Sequence, residues 1–437
     1  MAKSRKAPKV TDLQMSATKS CDVCIDPGRL SGAVAAIPSK SYAQRILIAA
    51  ALADEPTTVQ VDYLSDDVLA TIGALQSMGA GFKITKSNLT VSPITDLENV
   101  AEAELVADCK ESGTTARLLL PILASLFDKG TLTGAGSLLN RPFGTLCSAI
   151  EDFKPAKPFI ISDEAATVHP QTKFDSHRLP ISWTDHLQPG HYQLPGDESS
   201  QYLSALLFAL PLLQESSSIR LTGPLQSAGY VDITEEVLRN FGVSVGHEYH
   251  REISYQIRPQ TFRSPGYISV EGDWSNAAFW LAAGVEVTGL NPVSFQRDRN
   301  FSKLKNQPTI DATDVPDLVP ILAVCASLQL GTTCITGINR LRIKESDRIE
   351  TTLAMLRALG CGVELSPDCD LLIHGTGTIP GGSTVDGAND HRIVMAAAIA
   401  ASFALDSVTI TGAQAVAKTY PNFFSEFERL GGVVHVA

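Results

Sequence analysis

The chain has 437 residues, 44% hydrophobic and 19% charged, the make-up of an ordered globular protein with two domains rather than a disordered one. Its formal net charge of −12 at pH 7 argues against nucleic acid as a partner, because such proteins carry a basic surface excess. It leaves room for small anions, since a few converging Arg and Lys side chains make a positive pocket in an acidic protein.

The first residues contain Lys3, Arg5, Lys6, Lys9 and Lys19 with no apolar run after them, so residues 1–24 read as a flexible polar tail rather than a secretory signal. Cys21 and Cys24 form a lone C-x-x-C. A zinc site would want a second pair or histidines at ligand spacing, so the pair reads as structural. The other cysteines (Cys109, Cys147, Cys325, Cys334, Cys361 and Cys369) sit mostly in apolar surroundings, as buried free thiols do. No stretch is long and apolar enough to cross a membrane, and the expected compartment is the reducing cytoplasm.

Strand and helix patterns then alternate to the end of the chain, which predicts an α/β or α+β fold. A weak repeat runs through them: a β-type run ending in Thr-Gly, a polar turn, then a helix closing on Leu-x-x-x-Gly or similar. Copies cover residues 131–150, 219–242, 334–360 and 408–431, with a looser one at 59–79. Six further helices, at 43–53, 116–127, 202–213, 276–284, 318–328 and 393–405, are apolar nearly all round. Such helices are buried on every side, three per domain, with strands and amphipathic helices wrapped around them.

The residues ahead of these six helices carry Ser, Asp and Asn, as N-caps should. They also carry Lys, Arg and Gln, and a helix N-terminus with its unpaired N–H groups suits phosphate and carboxylate. Lys40, Ser41 and Arg45 lie where the first helix starts, with Ser41 expected to begin it and Lys40 just before it. Gly113 offers close backbone approach with Arg117 one turn on, and Arg141 precedes another helix. The densest cluster is 340–348, where Lys344, Glu345 and Arg348 would share a face if the segment were helical. Arg392 opens the last apolar helix behind a capping Asp390, and Lys418 sits at a strand-to-helix turn. Singly, each has an ordinary structural explanation. Together they suit a substrate pair with several negative charges, since Arg grips phosphate and carboxylate in bidentate fashion.

In chain order, the motifs are Ser39-Lys40-Ser41 with Arg45, Ser112-Gly113-Thr114-Thr115-Ala116-Arg117, Arg141-Pro142, Ser199-Ser200-Gln201, Ser227 with Tyr230, Asp317, Lys344-Glu345-Ser346-Asp347-Arg348, Asp390-His391-Arg392 and Ala417-Lys418. From about residue 25 onward the series resembles the 3-phosphoshikimate 1-carboxyvinyltransferase (EPSP synthase) family. The resemblance implies a two-domain inside-out α/β barrel, each domain holding three βαβαββ units around buried helices. It puts residues 25–38 and 271–437 in one domain and 39–270 in the other, with the active site in the cleft between them and closure on substrate. It implies transfer of the enolpyruvyl group of phosphoenolpyruvate to the 5-hydroxyl of shikimate 3-phosphate, releasing phosphate through a tetrahedral intermediate.

By the same resemblance, Ser199, Ser200, Ser227 and Lys344 hold the shikimate phosphate. Ser41, Arg45, Gln201, Tyr230 and Asp317 orient the ring. Gly113, Arg117, Arg141, Arg348, Arg392 and Lys418 line the phosphoenolpyruvate pocket, and Lys40, Asp317 and Glu345 are the proton-transfer candidates. No metal and no organic cofactor is implied, the partners are the two small substrates, and a monomer is expected. Glu111 and Arg340 stand where many members have Asn, which points to altered affinities rather than lost activity, and residues 153–193 form a longer segment than usual. Two alternatives remain at this point: transfer to UDP-N-acetylglucosamine, which would want a Lys-Asn pair and a loop cysteine, and a non-catalytic anion-binding protein.

Overall fold

The computed structural model of the chain describes residues 21–436 apart from 86, 96, 98–99, 101–104, 152–153, 156–176, 250–252 and 369. Cys369, most of the tail and much of the long segment 153–193 therefore lie outside the described residues. The chain divides into two compact units. One is Lys40–Val270; the other joins Ser39 and the residues before it to Glu271 and those after it.

Among the described residues of the Lys40–Val270 unit the helices are α1 (Lys40–Ala51), α2 (Asp66–Ser77), α3 (Gly113–Leu126), α4 (Gly144–Glu151), α5 (Ser200–Ala209) and α6 (Ala228–Asn240). Three of them are apolar on all faces, and the fold uses them as its interior. α1 is buried from Tyr42 to Ala51, α3 from Thr115 to Ala124, and α5 everywhere but Gln201. Each fully buried Leu or Ile contributes about 1.5–3 kcal/mol, so these helices carry much of the unit's stability. α6 shows the contrasting pattern: Val231, Ile233, Thr234, Val237 and Leu238 are buried and Glu235 and Glu236 are not, as expected of a helix laid on a surface.

Three sheets enclose these helices. Tyr267–Ser269, Thr57–Gln60, Asn88–Ser92 and Gly81–Ile84 form one; Val106–Asp108, Gly130–Thr133 and Ile181–Trp183 form another. The third has Gly246–Tyr249, Ile253–Ile257, Ser217–Thr222, Gly190–Pro195 and Lys154–Pro155 in that order. Strands alternate: in Ser217–Thr222, Ile219 and Leu221 point to the core while Arg220 faces out.

The other unit holds α7 (Trp274–Ala282), α8 (Phe301–Leu304), α9 (Val319–Ser327), α10 (Arg348–Ala358), α11 (His391–Phe403) and α12 (Phe423–Arg429). α9 is buried except at Cys325 and α11 except at Phe403. Its sheets are Thr384–Asp386, Val408–Thr411, Val23–Asp26 and Val433–Val436; Thr309–Asp311, Leu330–Thr336, Leu371–Thr376 and Gly362–Leu365; and the pair Ala33–Ala35 with Glu286–Thr288. The first strand starts at Val23 rather than at residue 25, so Cys24 pairs with Thr409 and His435 inside a sheet.

One supersecondary step recurs. A short strand runs into a buried helix, and the helix returns the chain to a strand parallel to the first. It occurs around α3, α5, α9 and α11. Around α1 and α7 the partners are exchanged: Ala33–Ala35, which leads to α1, pairs with Glu286–Thr288, and Tyr267–Ser269, which leads to α7, pairs with Thr57–Gln60. The two places where the chain passes from unit to unit lie between these strands. There Ser39 N donates to Glu271 O at 2.8 Å and Asp273 N to Ile37 O at 2.8 Å, so the passing segments brace each other.

Candidate active site

In the Lys40–Val270 unit the candidate residues gather at the N-termini of α1, α3, α5 and α6. α1 begins at Lys40, one residue earlier than expected, and Ser39 ahead of it is buried. Lys40 Nζ lies 2.7 Å from Asp67 Oδ2, with the two side chains 14% and 12% exposed. Ser41 is half-buried and its carbonyl accepts from Arg45 Nη1 at 2.9 Å. Arg45 is set back from solvent at 1% exposure, donates from Nε to Thr234 Oγ1 at 2.8 Å, and is pushed down to about 10 by burial. It ties α1 to α6.

Ser112 caps α3 by accepting from Thr115 N. One turn on, Arg117 Nη1 donates to Gln201 Oε1 at 2.9 Å, and Gln201 Nε2 donates to Thr114 Oγ1 at 2.9 Å. The Arg117 guanidinium stands over the rings of Phe143 and Tyr202, at 5.6 and 6.0 Å, which fixes its plane. Gly113 has a steric reason to be glycine: a Cβ there would lie 2.6 Å from Arg141 Nη1 and 3.5 Å from Arg117 Nη1. The structure therefore gathers Gly113, Arg117, Arg141 and Gln201 at one point. Ser199 caps α5 by accepting from Gln201 N, and Ser200 behind it is buried. Ser227 enters α6 with φ of 54°, and Tyr230 stands one turn into that helix, half-buried.

In the other unit a second cluster is organised by Arg348, which is 1% exposed. Its Nε donates to Asp390 Oδ2 at 2.9 Å, Nη1 to Asp317 Oδ1 at 2.8 Å and Nη2 to Glu345 Oε2 at 2.5 Å. Lys344 Nζ lies 3.6 Å from Asp317 Oδ1, and Arg392 Nη2 lies 3.5 Å from Asp317 Oδ2. Lys418, 5% exposed, donates to Asn389 O at 2.9 Å. The segment 344–347 is not helical as pictured from the sequence. α10 begins only at Arg348, capped by Asp347, and Glu345 reaches Arg348 across a turn. A 3-10 helix, Asn339–Ile343, precedes it and ends on Lys344 in extended backbone, which breaks the helix before Asp347 can cap the next; from it Arg340 Nη2 reaches Thr313 O at 2.8 Å and Arg342 reaches Asp347 at 3.0 Å.

The cluster shifts its own acidities. Burial alone would raise Asp317, yet Lys344, Arg392 and Arg348 hold it well below the usual carboxylate range, against a smaller push from Glu345. Lys344 is lowered by burial and by Arg348 and Arg340, with Asp317 and Glu345 opposing. Arg348 is raised: burial works against its charge, but Asp390, Glu345 and Asp317 more than offset it.

Four non-glycine residues have positive φ among the described residues: Lys110, Ser227, Ala388 and Asn389. All lie within three residues of the start of α3, α6 or α11. Strain of about 1–3 kcal/mol per residue held just at these helix entries is the usual company of a functional site.

Several site residues have no counterpart among the sequence candidates. Asp67 is not among those candidates, and Asp390 enters there as a cap. Asp390 does cap α11, accepting from Arg392 N at 2.9 Å, but it also holds Arg348. Gln44, fully buried, places Nε2 within 3.0 Å of Ser112 Oγ and 2.9 Å of Thr115 Oγ1, joining α1 to the cap of α3. Only the position of Gln44 on an otherwise apolar helix signalled it. Cys21 and Cys24 are both free thiols, and among the described residues no group of three or more His, Cys, Asp or Glu could hold a metal ion.

The sequence pattern of the family EPSP synthase (3-phosphoshikimate 1-carboxyvinyltransferase) matches residues 25–293 and 286–427. The chain is similar to the 3-phosphoshikimate 1-carboxyvinyltransferase of Clostridium acetobutylicum, 37% identical over 94% of this chain and 98% of that one. It is 36% identical to the Clostridium kluyveri protein of the same name, over 94% and 98%. Among solved structures, an EPSP synthase from Acinetobacter baumannii superposes with a TM-score of 0.74 at 24% identity, covering 96% of this chain and 100% of that one. The enolpyruvyl transferase NikO from Streptomyces tendae gives 0.68 at 16% identity, over 96% and 99%, a likeness of fold alone. The family pattern over nearly the whole chain, with relatives 36% and 37% identical over 94% of it, places this chain in the EPSP synthase (3-phosphoshikimate 1-carboxyvinyltransferase) family.

Proposed function

We propose that the protein transfers the enolpyruvyl group of phosphoenolpyruvate to the 5-hydroxyl of shikimate 3-phosphate and releases phosphate, in the synthesis of aromatic amino acids. The observation that carries the reading is Arg348, buried and held at once by Asp317, Glu345 and Asp390, with Arg392 and Lys344 beside Asp317. Such a cluster offers cations to a carboxylate and a leaving phosphate, and carboxyl groups within a few ångströms to move protons. The addition needs a base at the attacking hydroxyl and an acid at the methylene carbon. Asp317, kept ionised by its cations, suits the hydroxyl; Glu345 and Lys40 are the candidates for the other transfers.

The remaining assignments belong to the same proposal. Ser199, Ser200, Ser227 and Lys344 hold the shikimate phosphate, while Ser41, Arg45, Gln201, Tyr230 and Asp317 orient its ring. Gly113, Arg117, Arg141, Arg348, Arg392 and Lys418 bind phosphoenolpyruvate. The buried α1, α3, α5, α7, α9 and α11, each entered from a short strand, support the inside-out barrel reading of three repeats per unit. The reading takes the protein as a cytoplasmic, monomeric enzyme that needs no cofactor; no helix among the described residues is long and apolar enough to cross a membrane. The shikimate name carried by the relatives favours that acceptor over a sugar nucleotide.

The test is phosphate release by purified protein given both substrates, with each alone as control. Release that needs both, with a product heavier by the enolpyruvyl group, is the expected result. Folded protein that releases none overturns the reading.

A further inference from the structure

The entries of α4 and α5 are joined by a contact that none of the roles assigned above uses. Thr145, the second residue of α4, donates from Oγ1 to Glu198 Oε2 at 2.5 Å. Glu198 stands directly before Ser199, the cap of α5, and Thr145 stands one helical turn's length of chain after Arg141. One hydrogen bond therefore ties the turn that brings in Ser199 and Ser200 to the turn that brings in Arg141. A second contact runs beside it: Tyr202 Oη, from the first turn of α5, donates to Pro142 O at 3.4 Å.

The turn before α5 is fixed on its other side as well. Gly196 N donates to Thr222 O at 2.9 Å and Gln226 N donates to Gly196 O at 2.9 Å, which straps the turn to the segment leading into Ser227. Gly196 has no room for a side chain, since a Cβ would lie 2.8 Å from Pro224 O and 2.9 Å from Gly223 O. Those are backbone atoms, which do not yield as the end of a side chain would. Residues 196–198 thus form a seat held between the entry of α6 and the entry of α4.

Glu198 is exposed, so packing gives no reason for a carboxylate beside serines meant for an anion. Its bond to Thr145 does, because a charge-assisted hydrogen bond is the stronger and shorter kind. Arg141 is the cation that profits. Its Nη1 stands 2.6 Å from where a Cβ on Gly113 would lie, at the start of α3, and Arg117 of α3 already donates to Gln201 of α5. The starts of α3 and α5 are locked together, and the Thr145–Glu198 bond brings α4 into the same frame.

Resting on the transferase reading, we infer that Thr145 and Glu198 are positioning residues: a phosphate taken up by Ser199 and Ser200 steadies, through their hydrogen bond, the turn that presents Arg141 to phosphoenolpyruvate. Binding of the first substrate then prepares part of the second substrate's site inside the Lys40–Val270 unit. Neither residue touches a reacting atom, so the pair acts on affinity and leaves the chemical step alone.

The experiment uses Thr145→Val, which keeps the shape and loses the donor, and Glu198→Ala, alone and together. Thr145→Ser and Glu198→Gln are the conservative controls, since each keeps a donor or acceptor in place. The KM for phosphoenolpyruvate, read from phosphate release at saturating shikimate 3-phosphate, should rise about fivefold in either single variant. It should rise no further in the double variant, because both changes delete one interaction, and kcat should stay within about twofold throughout. The controls should restore the wild-type KM to within about twofold. Amide hydrogen exchange in α4 supplies a readout that does not depend on turnover. Shikimate 3-phosphate should slow that exchange in wild type and Thr145→Ser, and not in Thr145→Val. An unaltered KM in the single variants, additive losses in the double one, or equal slowing of α4 in wild type and Thr145→Val overturns the inference. Wild-type protein that releases no phosphate would instead sink the transferase reading, and the exchange would still decide whether Thr145 links an anion at Ser199 to α4.

Discussion

Arg348 Nε donates to Asp390 Oδ2 at 2.9 Å, and the two side chains are 1% and 0% exposed. Asp390 also accepts from Ser346 Oγ at 3.0 Å and caps α11, so one carboxylate fixes the start of α10, the turn before it and the start of α11. Removing it strands a buried guanidinium. Asp390→Ala should cost about 3–5 kcal/mol, read as a lower urea midpoint, and Arg348→Met in the same chain should restore part of it. No loss of midpoint would mean that Asp317 and Glu345 alone satisfy Arg348.

Gly113→Ala would place a methyl group 2.6 Å from Arg141 Nη1. The obstructed atom is the end of a flexible side chain, so the fold should survive while Arg141 moves. The KM for phosphoenolpyruvate should rise about tenfold, equivalent to about 1.4 kcal/mol, with the thermal midpoint nearly unchanged. An unaltered KM would remove Arg141 from the anion site.

Glu345→Gln keeps the side chain's shape and a contact to Arg348. Substrate binding by calorimetry should change little, and kcat should fall by about 10²–10⁴-fold, the span of general acid–base catalysis. Wild-type turnover in the variant would sink the proton-transfer role.

The two shifted aspartates act on stability in opposite directions. Asp317 is held below its unfolded value of about 3.9, so its stabilisation is present above about pH 4 and lost as pH falls through the folded value. Asp317→Asn should flatten the acid limb of the stability curve. Asp298, in the short turn Arg297–Asn300, is raised to about 7, chiefly by burial, so the folded protein holds a proton the unfolded chain has lost, and stability declines from about pH 4 to pH 7. At 1.36 kcal/mol per pH unit the decline is at most roughly 4 kcal/mol, and Asp298→Asn should abolish it. Urea titrations of both variants at pH 3, 5 and 8 check the two signs.

The phosphoenolpyruvate candidates are divided between the units, Arg117 and Arg141 in one and Arg348, Arg392 and Lys418 in the other. On the transferase reading, phosphoenolpyruvate should bind at least tenfold more tightly once shikimate 3-phosphate is present, a coupling of ordinary size. Equal affinity with and without the first substrate, by calorimetry with Glu345→Gln, would count against it.

The sequence by itself determined the alternation of strands and helices, the six apolar helices and the placing of cations at their entries. Those properties follow from local periodicity: α11 can only be interior because none of its faces is polar, and Arg392 is conspicuous because it opens such a helix. Tertiary structure decided what periodicity does not encode. Asp67, Gln44, Asp298 and Asp390 look like ordinary polar residues near helix starts, and only long-range packing sets them against Lys40, Ser112, Ser275 and Arg348. The exchange of strands around α1 and α7 was equally out of reach, because it pairs residues more than 200 positions apart. Partners so distant are chosen by the burial of whole helices, and burial is a property of the assembled unit rather than of any segment.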